Sequence, residues 1–176
     1  MELRLYGEED LALTEALECD PEVMRELGGP VPREDIPRVH RMRVETAANE
    51  GWYFAIIPEP GGPAAGEIGI FGREHDGGTI DELGWMVLPS FQGRGIATDA
   101  LGLLLERARV AGRFDRLHAY PGVTNGPSNA LCRRFGFELI EEFEVKFRDR
   151  PLRVNHWVVD VSTSESPSRP GPPAPD

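Results

Sequence analysis

The chain has 176 residues, 40% of them hydrophobic and 28% charged, a composition that suits one globular domain with a core able to stand alone. Its net charge of −11 speaks against broad nucleic-acid binding, which demands a basic footprint, and favours a cationic partner by long-range attraction. No apolar run approaches the ~18 residues of a membrane span. Leu3 to Tyr6 alternates as a first strand. Glu8 to Leu27 spaces its apolar residues at helical intervals broken at Pro21, which predicts two helical pieces with Asp20 capping the second. Asp35 is placed to cap a helix ending near Asn49. Trp52 to Ile57, Glu67 to Phe71 and Ile80 to Leu88 read as strands, the last two joined across Gly77-Gly78.

A helix from Gly95 to Ala111 buries Ile96, Ala100, Leu101, Leu104, Leu105 and Ala108. Leu117 to Tyr120 is a short strand. Asn125 starts another helix with Pro127 in its first turn, and Gly136 ends it. Phe143–Phe147 and Val154–Val161 form a closing hairpin across Asp149-Arg150-Pro151. The order βααβββαβαββ predicts an α/β fold, a mixed sheet with helices on its faces. The domain spans residues 1–161. The stretch 162–176, crowded with Pro and Ser, reads as a disordered tail. Met1-Glu2-Leu3-Arg4 carries no secretory pattern, so a cytoplasmic location is expected. Cys19 and Cys132 lack ligand spacing and the four histidines are scattered, so free thiols and no metal are expected.

The chemistry-bearing segment runs from Glu82 to Leu101, where a strand enters a glycine-rich turn and a helix opens at once. Glycines let backbone amides approach a ligand, and a helix N-terminus attracts anions. A pyrophosphate suits such a site, with Arg94 adding a charge-assisted contact at the rim. Two phosphate motifs fail on spacing. No Lys follows Gly93 or Gly95 as a P-loop requires, and Thr98 stands where the dinucleotide fingerprint needs its third glycine.

Gln92-Gly93-Arg94-Gly95-Ile96-Ala97 is similar to the Q/R-x-x-G-x-G/A motif of the GNAT superfamily of acyl-CoA-dependent N-acyltransferases. Thr98-Asp99-Ala100-Leu101 resembles the continuation of that motif in the branch of ribosomal-protein N-terminal acetyltransferases. Asn125-Gly126-Pro127-Ser128 with Arg134-Phe135-Gly136-Phe137 resembles the same branch's second element. The likeness covers most of residues 3 to 160 and is strongest from 82 to 137. It implies acetyl transfer from acetyl-CoA, a cosubstrate, to a primary amine of a small molecule or a protein N-terminus in a ternary complex. The backbone of Trp85, Met86 and Val87 would pair with the pantetheine arm. The amides of Gln92, Gly93, Arg94, Gly95, Ile96, Ala97 and Thr98 would hold the pyrophosphate. Asn125 would bind pantetheine or order its loop, unless it is a plain helix cap.

An amine attacks a thioester only when neutral, so a base must take its proton. Glu82 resembles the family's glutamate on the central strand. Asp81 points to the opposite face of a regular strand, but a bulge would shift that facing, and both remain candidates. The family's frequent tyrosine donor for the leaving thiolate is replaced here by Cys132. Ser128 is the candidate donor in its place, with Cys132 and Tyr120 as alternatives. Trp52, Tyr53, Trp85 and Trp157 are candidates for an acceptor wall, although core packing is the preferred role for most of them. Glu141, Glu142 and Glu144 are candidates that a solvated strand face explains equally, and His156 is a lesser one. The rival reading is a non-catalytic acyl-CoA-binding domain. A homodimer through the C-terminal strands is also expected.

Overall fold

The computed structural model describes residues 1–162 apart from 76, 148 and 149. In chain order its elements are β1 (Glu2–Leu5), α1 (Leu11–Glu18), α2 (Ile36–Glu50), β2 (Tyr53–Ile57), β3 (Gly66–His75), β4 (Gly78–Val87), α3 (Ile96–Ala111), β5 (Arg116–Ala119), α4 (Gly126–Arg134), β6 (Glu138–Phe147) and β7 (Arg150–Asp160). This is the expected α/β order. The strands form one sheet, β1-β2-β3-β4-β5-β7-β6. Its neighbours are antiparallel except β4 and β5, which run parallel and are connected through α3.

The residue pattern explains the layering. From Phe54 to Ile57 every side chain of β2 is buried, as a strand covered on both faces requires. On one face the α3 stripe Ile96, Ala100, Leu101, Leu104, Leu105 and Ala108 packs with Ile68, Ile70, Leu83 and Leu117, with Cys132 and Phe137 in the same core. On the other, Leu13, Leu17 and Ala47 from α1 and α2 meet Ala55 and Ile57. Successive strand residues thus feed opposite cores.

The structure sharpens several sequence expectations. The second helical piece is a 3-10 turn, Val23–Leu27, whose cap position is Glu22 rather than the expected Asp20. Asp20 sits just ahead of it and accepts the amides of Glu22 and Val23 at 2.7 and 3.0 Å. Asp35 occupies the cap position of α2 without a capping side-chain bond. Strands β3, β6 and β7 start earlier or end later than their apolar runs. Hairpin registers extend them through polar residues such as Glu74 and Glu142, where backbone pairing needs no apolar side chain. The expected turn at Asp149 and the tail beyond Ser162 lie outside the described residues. Among the described residues no helix is long and apolar enough to cross a membrane. No group of three or more His, Cys, Asp or Glu side chains there is placed to hold a metal ion.

A buried amide anchors α4 to the sheet. Asn129 Oδ1 accepts from Asn155 Nδ2 at 2.8 Å and from Trp157 Nε1 at 2.9 Å. Its Nδ2 donates to the carbonyls of Gly122 and Asn125 at 2.9 and 2.8 Å. Truncation would strand buried donors and acceptors, each costing about 1–3 kcal/mol when unsatisfied. Asn129→Ala is therefore expected to lower unfolding stability by at least about 2 kcal/mol, read from the midpoint of urea denaturation.

Candidate functional site

Strands β4 and β5 are in register only at Glu82 and His118. β4 stays on β3 through ten consecutive pairs, from Gly66↔Val87 to His75↔Gly78. β5 turns instead with β7, to which it pairs from Arg116 to Ala119. Beyond the shared point the two strands part around a cavity of about 1000 Å³. Leu83 to Val87 and the turn into α3 wall one side, and Ala119 to Gly122 with the start of α4 wall the other. The Val23–Leu27 turn bounds its remaining flank.

At the α3 end, Gly93 and Gly95 have φ of 69° and 79°, the left-handed region that glycine enters without strain. The helical ladder opens with Asp99 N–H on Gly95 O at 3.0 Å, so the amides of Ile96, Ala97 and Thr98 precede the first intrahelical bond. Gly93, Gly95, Ile96, Ala97 and Thr98 all line the cavity. Gln92 lines it too, but its amide is committed to Pro89 O at 3.1 Å and its Nε2 to Val87 O at 2.9 Å. The Gln92 amide expected at the anion is thus engaged within the turn, and its side chain braces strand end against turn. Arg94 lies over the Phe91 ring, 5.4 Å from its centroid, rather than lining the cavity itself. Trp85, Met86, Val87, Asn125 and Ser128 line the cavity. Asn125 Oδ1 accepts the Ser128 amide at 3.1 Å, so it caps α4 and fixes the entry of that helix.

The unbroken β3–β4 register leaves the bulge that the sequence left open no place on that side and sets Asp81 and Glu82 on opposite faces. Glu82 lines the cavity and Asp81 does not. The Glu82 carboxylate meets Arg73 Nη1 at 2.7 Å with 17% of its side chain exposed. Burial pushes its pKa above the ordinary carboxylate value, against the pull of Arg73. Asp81 is also raised by burial, with Arg113 opposing. Tyr120 lines the cavity, with Arg73 4.6 Å above its ring. His156 stacks on Tyr120 and on His118, at 4.7 and 5.1 Å between centroids. It is buried and does not itself line the cavity.

Other candidates fall elsewhere. Cys132 is fully buried in the core, where burial pushes its thiol up to about 12; it fills space rather than donating protons. Trp157 is core, and Trp52 packs edge-on to Phe114 at 4.8 Å. Glu141, Glu142 and Glu144 are exposed on β6, Glu142 paired to Arg153. None of these six lines the cavity.

Sequence reasoning missed a buried charge cluster that does. Arg43 Nη2 reaches Glu18 Oε1 at 2.5 Å and Glu67 Oε1 at 2.7 Å, and Tyr53 Oη donates to Glu67 at 2.7 Å. All four line the cavity floor. Burial raises Glu67, against Arg43 and the Tyr53 hydrogen bond. The available signal was the charge inside Gly66-Glu67-Ile68-Gly69-Ile70, where a core strand carries a carboxylate that must find a partner. Removing the cation would leave two buried carboxylates uncompensated. Arg43→Met is expected to cost about 3–5 kcal/mol, checked by chemical denaturation beside the wild type.

No curated protein sequence matches this chain. Several solved structures share its fold. An acetyltransferase of the GNAT family from Bacillus anthracis superposes with a TM-score of 0.75 at 17% identity, covering 90% of this chain and 93% of that one. A ribosomal-protein-alanine N-acetyltransferase from Brucella melitensis gives 0.73 at 24% identity, covering 91% and 99%. The putative acetyltransferase yncA from Salmonella typhimurium, determined with its cofactor acetyl-CoA, gives 0.69 at 20% identity, covering 96% and 98%. Residues 1–138 match the acetyltransferase (GNAT) domain family, which agrees with the motifs at Gln92 and Asn125, and the chain belongs to that family.

Proposed function

We propose that this protein transfers an acetyl group from acetyl-CoA to a primary amine of a small molecule or a protein N-terminus. The observation that carries this reading is the cavity between the parted β4 and β5. It joins the ladder-free amides at the start of α3 to the carboxylate of Glu82. A diphosphate held at Gly93, Gly95, Ile96, Ala97 and Thr98 would be met by oriented dipoles and the N-terminal end of a helix. The pantetheine arm would then lie along Trp85, Met86 and Val87 as an added strand, bounded on its other side by Asn125 and Ser128. The RimL ribosomal L7/L12 N-acetyltransferase, a solved structure of this fold at 20% identity, holds coenzyme A.

The amine must reach the thioester unprotonated. Glu82, on the cavity wall with its pKa lifted by burial, is the base that would take the proton as the nitrogen attacks the carbonyl carbon. Collapse of the adduct then breaks the carbon–sulfur bond. Ser128 would donate a hydrogen bond to the departing thiolate, since Cys132 is sealed in the core.

Titration with acetyl-CoA by calorimetry tests the binding step, and coenzyme A release with a panel of amines and peptides tests transfer. Glu82→Gln is expected to abolish most turnover while leaving acetyl-CoA affinity near the wild-type value. Ser128→Ala is expected to slow transfer by roughly ten- to thirty-fold, a loss of about one to two kcal/mol, again with affinity intact. Unchanged turnover removes Ser128 from the mechanism. Gly95→Val introduces a side chain where φ is 79° and is expected to weaken acetyl-CoA at least about tenfold. Binding without coenzyme A release from any amine would favour a non-catalytic acyl-CoA-binding domain.

A further inference from the structure

We propose that Arg73 is a positioning residue for Glu82. It holds one carboxylate oxygen in an ion pair and leaves the other to the acceptor amine, while its own guanidinium rests on the Tyr120 ring. The inference rests on the reading of Glu82 as the base.

The geometry has three parts. Arg73 Nη1 contacts Glu82 Oε2 at 2.7 Å, and both residues line the cavity. Glu82 Oε1 has no hydrogen-bond partner among the described residues. The guanidinium carbon of Arg73 lies 4.6 Å from the centre of the Tyr120 ring. A long side chain at a cavity rim would ordinarily sample many rotamers. Here a charge-assisted hydrogen bond fixes its tip and an aromatic face supports its plane. Tyr120 is fixed in turn, its ring stacked on buried His156 and its hydroxyl 3.3 Å from His156 Nε2.

A carboxylate lifted too far by burial keeps its proton at working pH and no longer serves as a base. Burial drives Glu82 that way, and Arg73 opposes it. Among the described residues, the other titratable groups near this spot lie on β4, β5, β6 and β7. His118 is the register partner of Glu82 on β5, Tyr120 follows on the same strand, and His156 lies behind them on β7. Glu141 of β6 approaches His156 Nδ1 at 3.8 Å, and Asp81 is on the far face of β4. Among the described residues, Arg73 is the cation in contact with Glu82. Its removal leaves the burial effect unopposed, so the carboxyl protonates at higher pH and transfer fails first on the acid side.

The full-length protein with carbon-13-labelled glutamate carboxyls is titrated by NMR, with Glu82→Gln identifying the resonance. Arg73→Gln is expected to raise the Glu82 midpoint by about one pH unit or more. Arg73→Lys, which keeps the charge, is expected to stay near wild type. Rates with acetyl-CoA and the best amine of the panel supply the second readout. The wild-type to Arg73→Gln ratio of kcat/KM, in which the acceptor's own ionisation cancels, should grow as pH falls toward the variant's midpoint. A Glu82 midpoint unmoved in folded Arg73→Gln, or a ratio independent of pH, overturns the proposal while an inactive Glu82→Gln still upholds the base. Wild-type turnover in Glu82→Gln instead removes the base and the proposal together.

Discussion

Two parallel strands that meet at a single register point, Glu82 against His118, govern the geometry of the whole cavity. β4 cannot follow β5, because ten pairs bind it to β3 and Gly66 packs it there closely. A Cβ at Gly66 would sit 2.1 Å from the Met86 carbonyl oxygen. β5 cannot follow β4, because its four residues are paired to β7. Each strand is committed to its other neighbour, and the space between them is what remains. Open backbone edges normally invite unwanted pairing. This one faces the cavity, where an extended ligand of the right width would complete it.

Around that gap the chain divides its labour between neutral dipoles and charges. The turn into α3 presents amides on a glycine-rich backbone, with Gln92 bracing it against Val87. Toward the α1 and α2 side, the cavity floor is charged. Arg43, Glu18 and Glu67 are nearly inaccessible to solvent, so their pairing offsets charges that could not otherwise be buried, although Arg43 Nη1 and Glu67 Oε2 find no hydrogen-bond partner among the described residues. Glu82 and Arg73 repeat the same chemistry with more exposure, at 17% and 35%. The first cluster holds the cavity floor together, whereas the second leaves a carboxylate reachable from the cavity.

Much of this was legible in the chain. Helix α3 announced itself through a six-residue apolar stripe that is entirely buried. Its start was marked by glycines that do adopt positive φ. The motif around Gln92 and the second block at Asn125 identified the family, because glycine-rich turns and helix caps are local devices written in consecutive residues. Alternation along a regular strand also separated Asp81 from Glu82, although the sequence left a bulge open. Strand lengths were less legible, because β6 and β7 extend through glutamates and arginines whose backbones pair regardless of side chain.

What the sequence determined by itself was therefore the order of elements, the two-sided core and the local glycine-rich turn into α3. Those depend on periodicity and on residues close together in the chain. Only the tertiary structure decided which charges share a floor and which aromatic rings face the cavity. Arg43 lies 25 residues from Glu18 in sequence yet is hydrogen-bonded to it, and Asn129 ties α4 to Trp157 28 residues away. It also removed Trp157, Cys132 and the β6 glutamates from the cavity lining. Such pairings are set by strand order and sheet register, and no local pattern encodes the partner of a buried charge.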